Sequence, residues 1–451
     1  MNHNRLLITI ATGIVMLFYG CSSDDDGPAS PDALDNQLQD ALVQAGGSQG
    51  LDLFKQPSST DFSNIPQDPL NPITTEKVAL GKLLFHETGL AINPKLPNGE
   101  GTYSCASCHH AAAGFQAGMA QGIGEGGSGF GTKGENRSRH DDYQGEELDV
   151  QPIRTPSAMN GAYQEATLWN GQFGAKGINN GTDAYWTPGT PKEDNQFGYE
   201  GLEIQAIAGL KVHRMQIKES LCETNTDYIQ LFADAFPNVP EDERIDREYA
   251  GLAIGAYERT LLSNEAPFQK WLNGDKAAMS DSEKRGALLF FGKAECNSCH
   301  TGPALNDMAF YALGMNDLRS LSNVFQTMDE DHKGRADFTG LDGDLYKFKV
   351  PQLYNLKDSP FYGHGASFNT IREVVEYKNN GVAENINVDA GQIASEFKPL
   401  GLTQDEISDL TVFLENALYD ANLARYVPAS IPSEQCFPNN DVQSKADLGC
   451  N

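Results

Sequence analysis

Two short strings carry the densest chemistry in the chain. Cys105-Ala106-Ser107-Cys108-His109 and Cys296-Asn297-Ser298-Cys299-His300 each place two thiols three positions apart, with a histidine directly after the second. Thiols at this spacing can form thioether bonds to the two vinyl groups of a porphyrin, and the adjacent imidazole can then ligate its iron. The pattern therefore predicts two covalently attached haems of the c type, with His109 and His300 as proximal ligands. A redox dithiol or half of a zinc site would not need the trailing histidine twice. Of the eight cysteines, three more lie downstream of residue 200: Cys222, expected as a buried free thiol, and Cys436 and Cys450, expected to pair across a Pro/Asn/Asp-rich tail. Asn439, Asn440, Asp441 and Asp447 in that tail read as a solvated acidic loop in preference to a calcium site.

The elements that must position these strings form a repeat. Gly81-Lys82-Leu83-Leu84-Phe85 ends one amphipathic helix twenty residues before Cys105, and Gly286-Ala287-Leu288-Leu289-Phe290 ends another six before Cys296. Ser280 with Glu283 makes a capping box that starts the second. Two related helical domains follow, the first with an insertion. A helical stretch over 248–262 and a turn region over 267–275 separate them. No run of alternating strands occurs, so the fold class is mainly α: two haem domains with long loops.

Charge narrows the partners. The 451 residues carry 33 Lys+Arg against 62 Asp+Glu, a net charge of −29. Nucleic acid and a polybasic membrane contact are disfavoured, because both need clustered cations. A hydrophobic content of 39% still permits a core. At the N-terminus, Arg5 precedes an apolar run over 6–18, which is short for a spanning helix and suits an export signal. Leu17-Phe18-Tyr19-Gly20-Cys21 resembles a bacterial lipoprotein cleavage site, with Phe18 where Leu is usual. Cys21 would then be lipidated, and ordinary cleavage nearby is the alternative. The expected organisation is a signal (1–20), a polar tether in which Leu34, Leu38 and Leu42 hint at a short helix (21–60), an N-terminal haem domain (61–272), a C-terminal haem domain (273–428) and a disulfide-closed tail (429–451).

The succession of Gly-x-Leu-Leu-Phe, C-x-x-C-H, Arg154-Thr155-Pro156-Ser157-Ala158-Met159-Asn160, Leu168-Trp169-Asn170-Gly171, Tyr257-Glu258-Arg259-Thr260-Leu261-Leu262, the second C-x-x-C-H with Thr301-Gly302-Pro303, and Lys349-Val350-Pro351-Gln352-Leu353-Tyr354-Asn355 resembles the bacterial di-haem cytochrome c peroxidase family. That family includes the methylamine-utilisation di-haem oxidase, and the match runs over about 73–425. The resemblance implies two facing cytochrome c-like domains. Electrons from a small donor enter at the His300 haem and pass to the His109 haem, where H2O2 is reduced to water. It also implies Trp169 on the path between the haems, Gln205 in the distal pocket, and His364 near the second haem. The Asp that the family has beside that last His is missing here. A homodimer and export to the periplasm or outer envelope belong to the same implication.

Departures from the family pattern fall on the sixth ligands and the base. The family's switchable distal His, sixteen residues after the proximal one, is Glu125 here, inside a stretch over 114–134 that holds nine glycines. That stretch reads as mobile backbone over the haem edge or as a plain flexible loop. The family's catalytic Glu is replaced within Val212-His213-Arg214-Met215. His213 could act as base and Arg214 as fixed charge, provided the backbone there is irregular, and Glu125 is a rival base. At the second haem, Lys378 or the adjacent Tyr377 falls where the family has its sixth ligand. Either would lower the potential relative to a thioether. The resemblance also implies an inter-haem calcium as a possible cofactor, and Arg154, a cation that repels it, stands where the family has one of the side chains that hold it. An oxidase that uses peroxide on a protein or organic substrate, and a non-enzymatic di-haem electron carrier, are the alternative functions. An acidic chain favours a basic cytochrome c or cupredoxin as partner.

Overall fold

The computed structural model describes residues 31–318 and 332–450. The export signal and Cys21 lie outside the described residues. The first described element, α1 (Pro31–Ala45), corrects the tether expectation. Its leucines at 34, 38 and 42 make one helical stripe, and Leu38 and Leu42 are fully buried together with Phe54 in a cluster that contains Trp271, Phe291 and Phe413. Asp35 on the same helix accepts from Trp271 Nε1 at 2.7 Å and pairs with buried Lys284 at 2.8 Å. Burial of the stripe and a satisfied ion pair outweigh the entropy of ordering a polar segment.

Two helical bodies follow, each with its own core. The first packs α2 (Thr75–His86), α3 (Gly201–Val212), α4 (Thr226–Ala235) and α5 (Arg247–Arg259) around Leu84, Phe85, Ile207, Phe232 and Tyr257. The second packs α6 (Asp281–Phe290), α7 (Ile371–Asn380) and α8 (Gln404–Val412) with α1 around Phe268, Phe290, Ile407 and Phe413. Ser280 and Glu283 form the expected capping box at the start of α6. The repeated glycine marks the crossing point in both bodies. A Cβ on Gly81 would lie 1.9 Å from the Ala253 carbonyl oxygen of α5, and one on Gly286 would lie 2.1 Å from that of Asp409 in α8. Only glycine lets these helices approach so closely. The boundary at 272/273 shifts, because Ala266, Phe268 and Trp271 pack in the second core. Leu423 and Tyr426 return to the first.

Strand content among the described residues is two ladders of two-residue strands. The insertion before Cys105 holds only the 3₁₀ turns Thr88–Leu90 and Pro97–Gly99, and between Cys105 and Phe197 the chain holds only short 3₁₀ turns, isolated bridges and one of these ladders, so both stretches are loop. They are not loose. The tail, closed by the Cys436–Cys450 disulfide and ending in α9 (Val442–Leu448), lies against them. Asp441 accepts from Gly129 N at 2.9 Å, and Asp447 accepts from Phe130 N at 2.7 Å and Gly131 N at 2.9 Å. Ser104 and Ser107 donate to the Pro438 carbonyl at 3.0 and 3.1 Å. The glycine-rich stretch is therefore pinned, and the tail's acidic groups are its anchors. Cys222 is a buried free thiol, as expected. No described helix is long and apolar enough to cross a membrane.

Candidate functional site

The two attachment strings fold alike. Each begins with a 3₁₀ turn, Cys105–Ser107 and Cys296–Ser298, that returns the histidine N–H to the first cysteine's carbonyl, at 3.1 Å for His109 and 2.9 Å for His300. His109 Nδ1 faces the Phe115 carbonyl at 3.3 Å, and His300 Nδ1 faces that of Leu305 at 3.0 Å. A carbonyl only accepts, so Nδ1 is the protonated nitrogen in both rings and Nε2 keeps its lone pair, as a metal-ligating imidazole requires. Phe115 and Leu305 both have positive φ, 53° and 48°, which turns each carbonyl toward its ring. Burial lowers both imidazoles to about 4, so they are neutral at pH 7. All four thiols are free, and burial pushes those of Cys108 and Cys296 up to about 12.

His109, Cys296, Cys299 and His300 line one cavity of about 560 Å³, together with Trp169, Gln205 and His364. On the His300 side two free thiols and a bare imidazole nitrogen share the wall; on the other side His109 reaches it while the free thiols of Cys105 and Cys108, in the same turn, do not, and each string is a donor set that fits a thioether-linked porphyrin and its iron. Trp169 Nε1 donates to the Arg154 carbonyl at 2.8 Å, and its indole meets the His364 ring edge-on at 6.4 Å. His364 stacks on Phe348 at 3.6 Å and faces Asp317 Oδ1 at 3.0 Å. Asp317 thus supplies from outside the motif the carboxylate that the sequence lacks beside His364. Glu258, also on the wall, is pushed up to about 8 by burial and by the nearby Glu203 charge.

The structure separates the three candidates for the distal base. His213 caps α3, and Arg214 directly after it has φ +57°, so the backbone is irregular there. The two side chains nevertheless diverge. His213 Nδ1 lies 2.9 Å from Asp149 Oδ2, whereas Arg214 bonds the Glu125 carboxylate and the Glu147 carbonyl, the latter at 2.6 Å. Glu125 is fully buried and also accepts from Lys95 N, Leu96 N at 3.1 Å and Tyr143 Oη at 3.0 Å. Four donors use up its lone pairs, and neither Glu125 nor Arg214 lines the cavity. Both are corrected to a buried loop anchor. His213 does not line the cavity either, but it keeps a ring nitrogen, Nε2, with no partner among the described residues. Partial burial opposes its charged form, but the Asp149 carboxylate outweighs that and holds it above the ordinary histidine range.

At the other end, Lys378 lines the cavity with Cys296, Cys299 and His300, has no carboxylate partner among the described residues, and is lowered to about 8 by burial. Tyr377 is corrected. Its hydroxyl donates to the Leu313 carbonyl at 2.6 Å, its ring packs against Phe368 and Phe397, and it is not on the cavity wall. Adjacent helical residues point about 100° apart, so only one of the pair can face the cavity. Arg154 occupies the position that the resemblance gives to a calcium ligand, and among the described residues no group of three His, Cys, Asp or Glu side chains could hold a metal ion. Asp149 and Asp317 have no local spacing that links them to the site, and Lys349, which opens the Lys349–Asn355 motif, carries no sequence signal of its own for its place on the cavity wall.

The family model of di-haem cytochrome c peroxidases matches residues 75–277. Cytochrome-c peroxidase IdrP1 of Denitromonas iodatirespirans is 31% identical over 410 residues, which cover 83% of this chain and 90% of that protein. Methylamine utilization protein MauG of Methylorubrum extorquens is 28% identical over 367 residues, covering 80% and 82%. The crystal structure of a MauG-like protein associated with microbial copper homeostasis shares the fold, with a TM-score of 0.55, 22% identity, and coverage of 83% of this chain and 97% of that one.

Proposed function

The chain belongs to the di-haem cytochrome c peroxidase family, and from that premise we propose that it reduces H2O2 to water with electrons from a small periplasmic donor protein. One observation carries the reading: two neutral imidazoles, each with a bare Nε2 beside two free thiols, with His109 and His300 opening on one cavity that also contains Trp169. Cys105, Cys108 and His109 would hold the peroxidatic haem c, and Cys296, Cys299 and His300 the electron-transfer haem c, with Lys378 as the sixth ligand of the latter. Bound there, the haems supply iron that takes an oxygen ligand and exchanges single electrons.

The chain's own part is to move protons and guide electrons. Reduction of one H2O2 consumes two electrons and two protons and yields two waters. His213, oriented by Asp149, takes the proton from one peroxide oxygen and returns it to the leaving one. Gln205 offers an amide hydrogen bond to the peroxide from the cavity wall. Trp169, on the wall of the cavity that His109 and His300 share, is assigned to the electron path from the His300 haem to the His109 haem. His364, fixed by Asp317 and Phe348, packs the near side of Trp169.

Export, with Cys21 as a lipidated anchor, belongs to the same proposal. The charge of −29 favours a basic cytochrome c or cupredoxin as donor, with an association rate that falls as salt rises. The test is H2O2 turnover by a reduced donor cytochrome. His109→Ala abolishes it, and a variant that keeps full activity overturns the reading.

A further inference from the structure

Two cations line the cavity with no anion to meet them. Arg154 is 2% exposed; its Nη1 donates to the Met119 carbonyl at 3.1 Å, and its Nη2 to Gln116 Oε1 at 2.8 Å and Ser359 Oγ at 2.7 Å. Lys349 is 6% exposed, and its Nζ donates to Gln164 Oε1. Every acceptor is neutral, and among the described residues no carboxylate pairs with either side chain. Burial accordingly lowers Arg154 to about 9 and Lys349 to about 7.

Arg154 also lies over the Phe361 ring at 5.5 Å, but most buried cations elsewhere have carboxylate partners. Arg259 is clasped by Glu203 and Glu200, Arg137 meets Asp441, and Lys284 meets Asp35. Arg335, which touches no carboxylate, lies against the rings of Phe310 and Phe338 and bonds the Asn170 and Gly171 carbonyls, away from the cavity wall. Lys378, the remaining unpaired cation on the wall, is the one assigned above to iron. Leaving a charge buried and unpaired is expensive, so two such charges facing one cavity mark where anionic groups of its occupant belong.

Their placement is specific. The Arg154 carbonyl accepts from Trp169 Nε1 at 2.8 Å, and Lys349 N donates to the Trp169 carbonyl at 2.8 Å. Both residues are thus fixed through their backbones to Trp169, which lines the same cavity as His109 and His300. A haem tied through its vinyl groups carries its two propionates on the opposite edge of the macrocycle, the edge turned away from the cysteines.

We propose that Arg154 and Lys349 form a carboxylate-receiving site on either side of Trp169 and that propionates of the two haems fill it. The proposal rests on the di-haem reading. A charge-assisted hydrogen bond from guanidinium or ammonium then replaces the neutral contacts now made to Gln116 and Gln164. The fixed cations favour the reduced, less positive iron, so they raise the reduction potential of the haem whose propionate they hold.

The experiment uses the haem-loaded full chain. Arg154→Gln and Lys349→Gln are compared with the charge-keeping Arg154→Lys and Lys349→Arg, and with Arg285→Gln, which breaks only an exposed ion pair with Asp409. Haem content is read as pyridine haemochrome and midpoint potentials by spectroelectrochemical titration. The expected result is two haems per chain, with a downward shift of at least one potential in each neutral variant, recovery in the charge-keeping variants and no shift in the control. Unchanged potentials in both neutral variants with two haems bound overturn the site. Loss of haem in a neutral variant supports it if the charge-keeping partner retains haem, and counts against it if both lose haem. Wild-type potentials that move with added acetate at constant ionic strength show a free carboxylate in the site and overturn the propionate assignment. A wild-type chain without covalent haem overturns the di-haem reading, and this one with it.

Discussion

His213 Nδ1 lies 2.9 Å from Asp149 Oδ2 and 3.1 Å from Oδ1, across 64 residues of sequence. The carboxylate fixes which ring nitrogen carries the proton and leaves Nε2 with no partner among the described residues, which is the arrangement a positioned base needs.

Asp149→Asn is expected to shift the acid limb of the kcat/KM pH profile to lower pH, because the charge that raises His213 is gone. His213→Gln is expected to lower kcat about 10²-fold or more. A profile that does not move in Asp149→Asn would remove His213 from the reaction. The same pair gives a stability signature. The folded pKa of His213 is raised, so its contribution is fully present below the unfolded value near 6.5 and is lost as pH rises through the folded value. Denaturant melts of wild type and Asp149→Asn are expected to differ at acidic pH and converge at alkaline pH.

Lys378 and Tyr377 are adjacent in α7 and face different surroundings. Lys378→Met is expected to change the ligand-field spectrum of the electron-transfer haem and raise its potential, since a thioether favours the ferrous state more than an amine does. Tyr377→Phe is expected to cost about 1 kcal/mol through the lost bond to Leu313 and to leave the spectrum unchanged. Spectra with the opposite pattern would restore Tyr377 as ligand.

Leu38 is fully buried against the second core. Leu38→Ala is expected to destabilise the protein by about 2–5 kcal/mol in chemical denaturation, whereas a residue in a free tether would register nothing.

The Cys436–Cys450 bond closes a loop with a sequence separation of 14. Replacing both cysteines by serine is expected to cost about 3 kcal/mol. Because Asp441 and Asp447 hold the glycine-rich stretch, hydrogen exchange at Gly129, Phe130 and Gly131 is expected to accelerate in the same variant. Unchanged protection at those amides would show that the loop orders itself.

Covalent chemistry and short spacing were open to reading in the sequence alone. The C-x-x-C-H strings declare their thiols and imidazoles within five residues, Ser280 and Glu283 declare a helix start within four, and Cys436 and Cys450 bracket a tail with no other cysteine to choose from. The repeated Gly-x-Leu-Leu-Phe was visible as a repeat. Its reason, a helix crossing too close for a Cβ at Gly81 and Gly286, needed the packed partners. Tertiary structure alone decided which of two neighbours faces the cavity, as with Lys378 and Tyr377, because the rotation of α7 is set by what it packs against. It also decided who partners whom. Asp149 reaches His213 across 64 residues, Asp317 reaches His364 across 47, and Arg214 reaches Glu125 across 89. Such pairs leave no spacing signal, since a charge buried by folding is matched by whichever group the packed chain brings beside it, however far away it began.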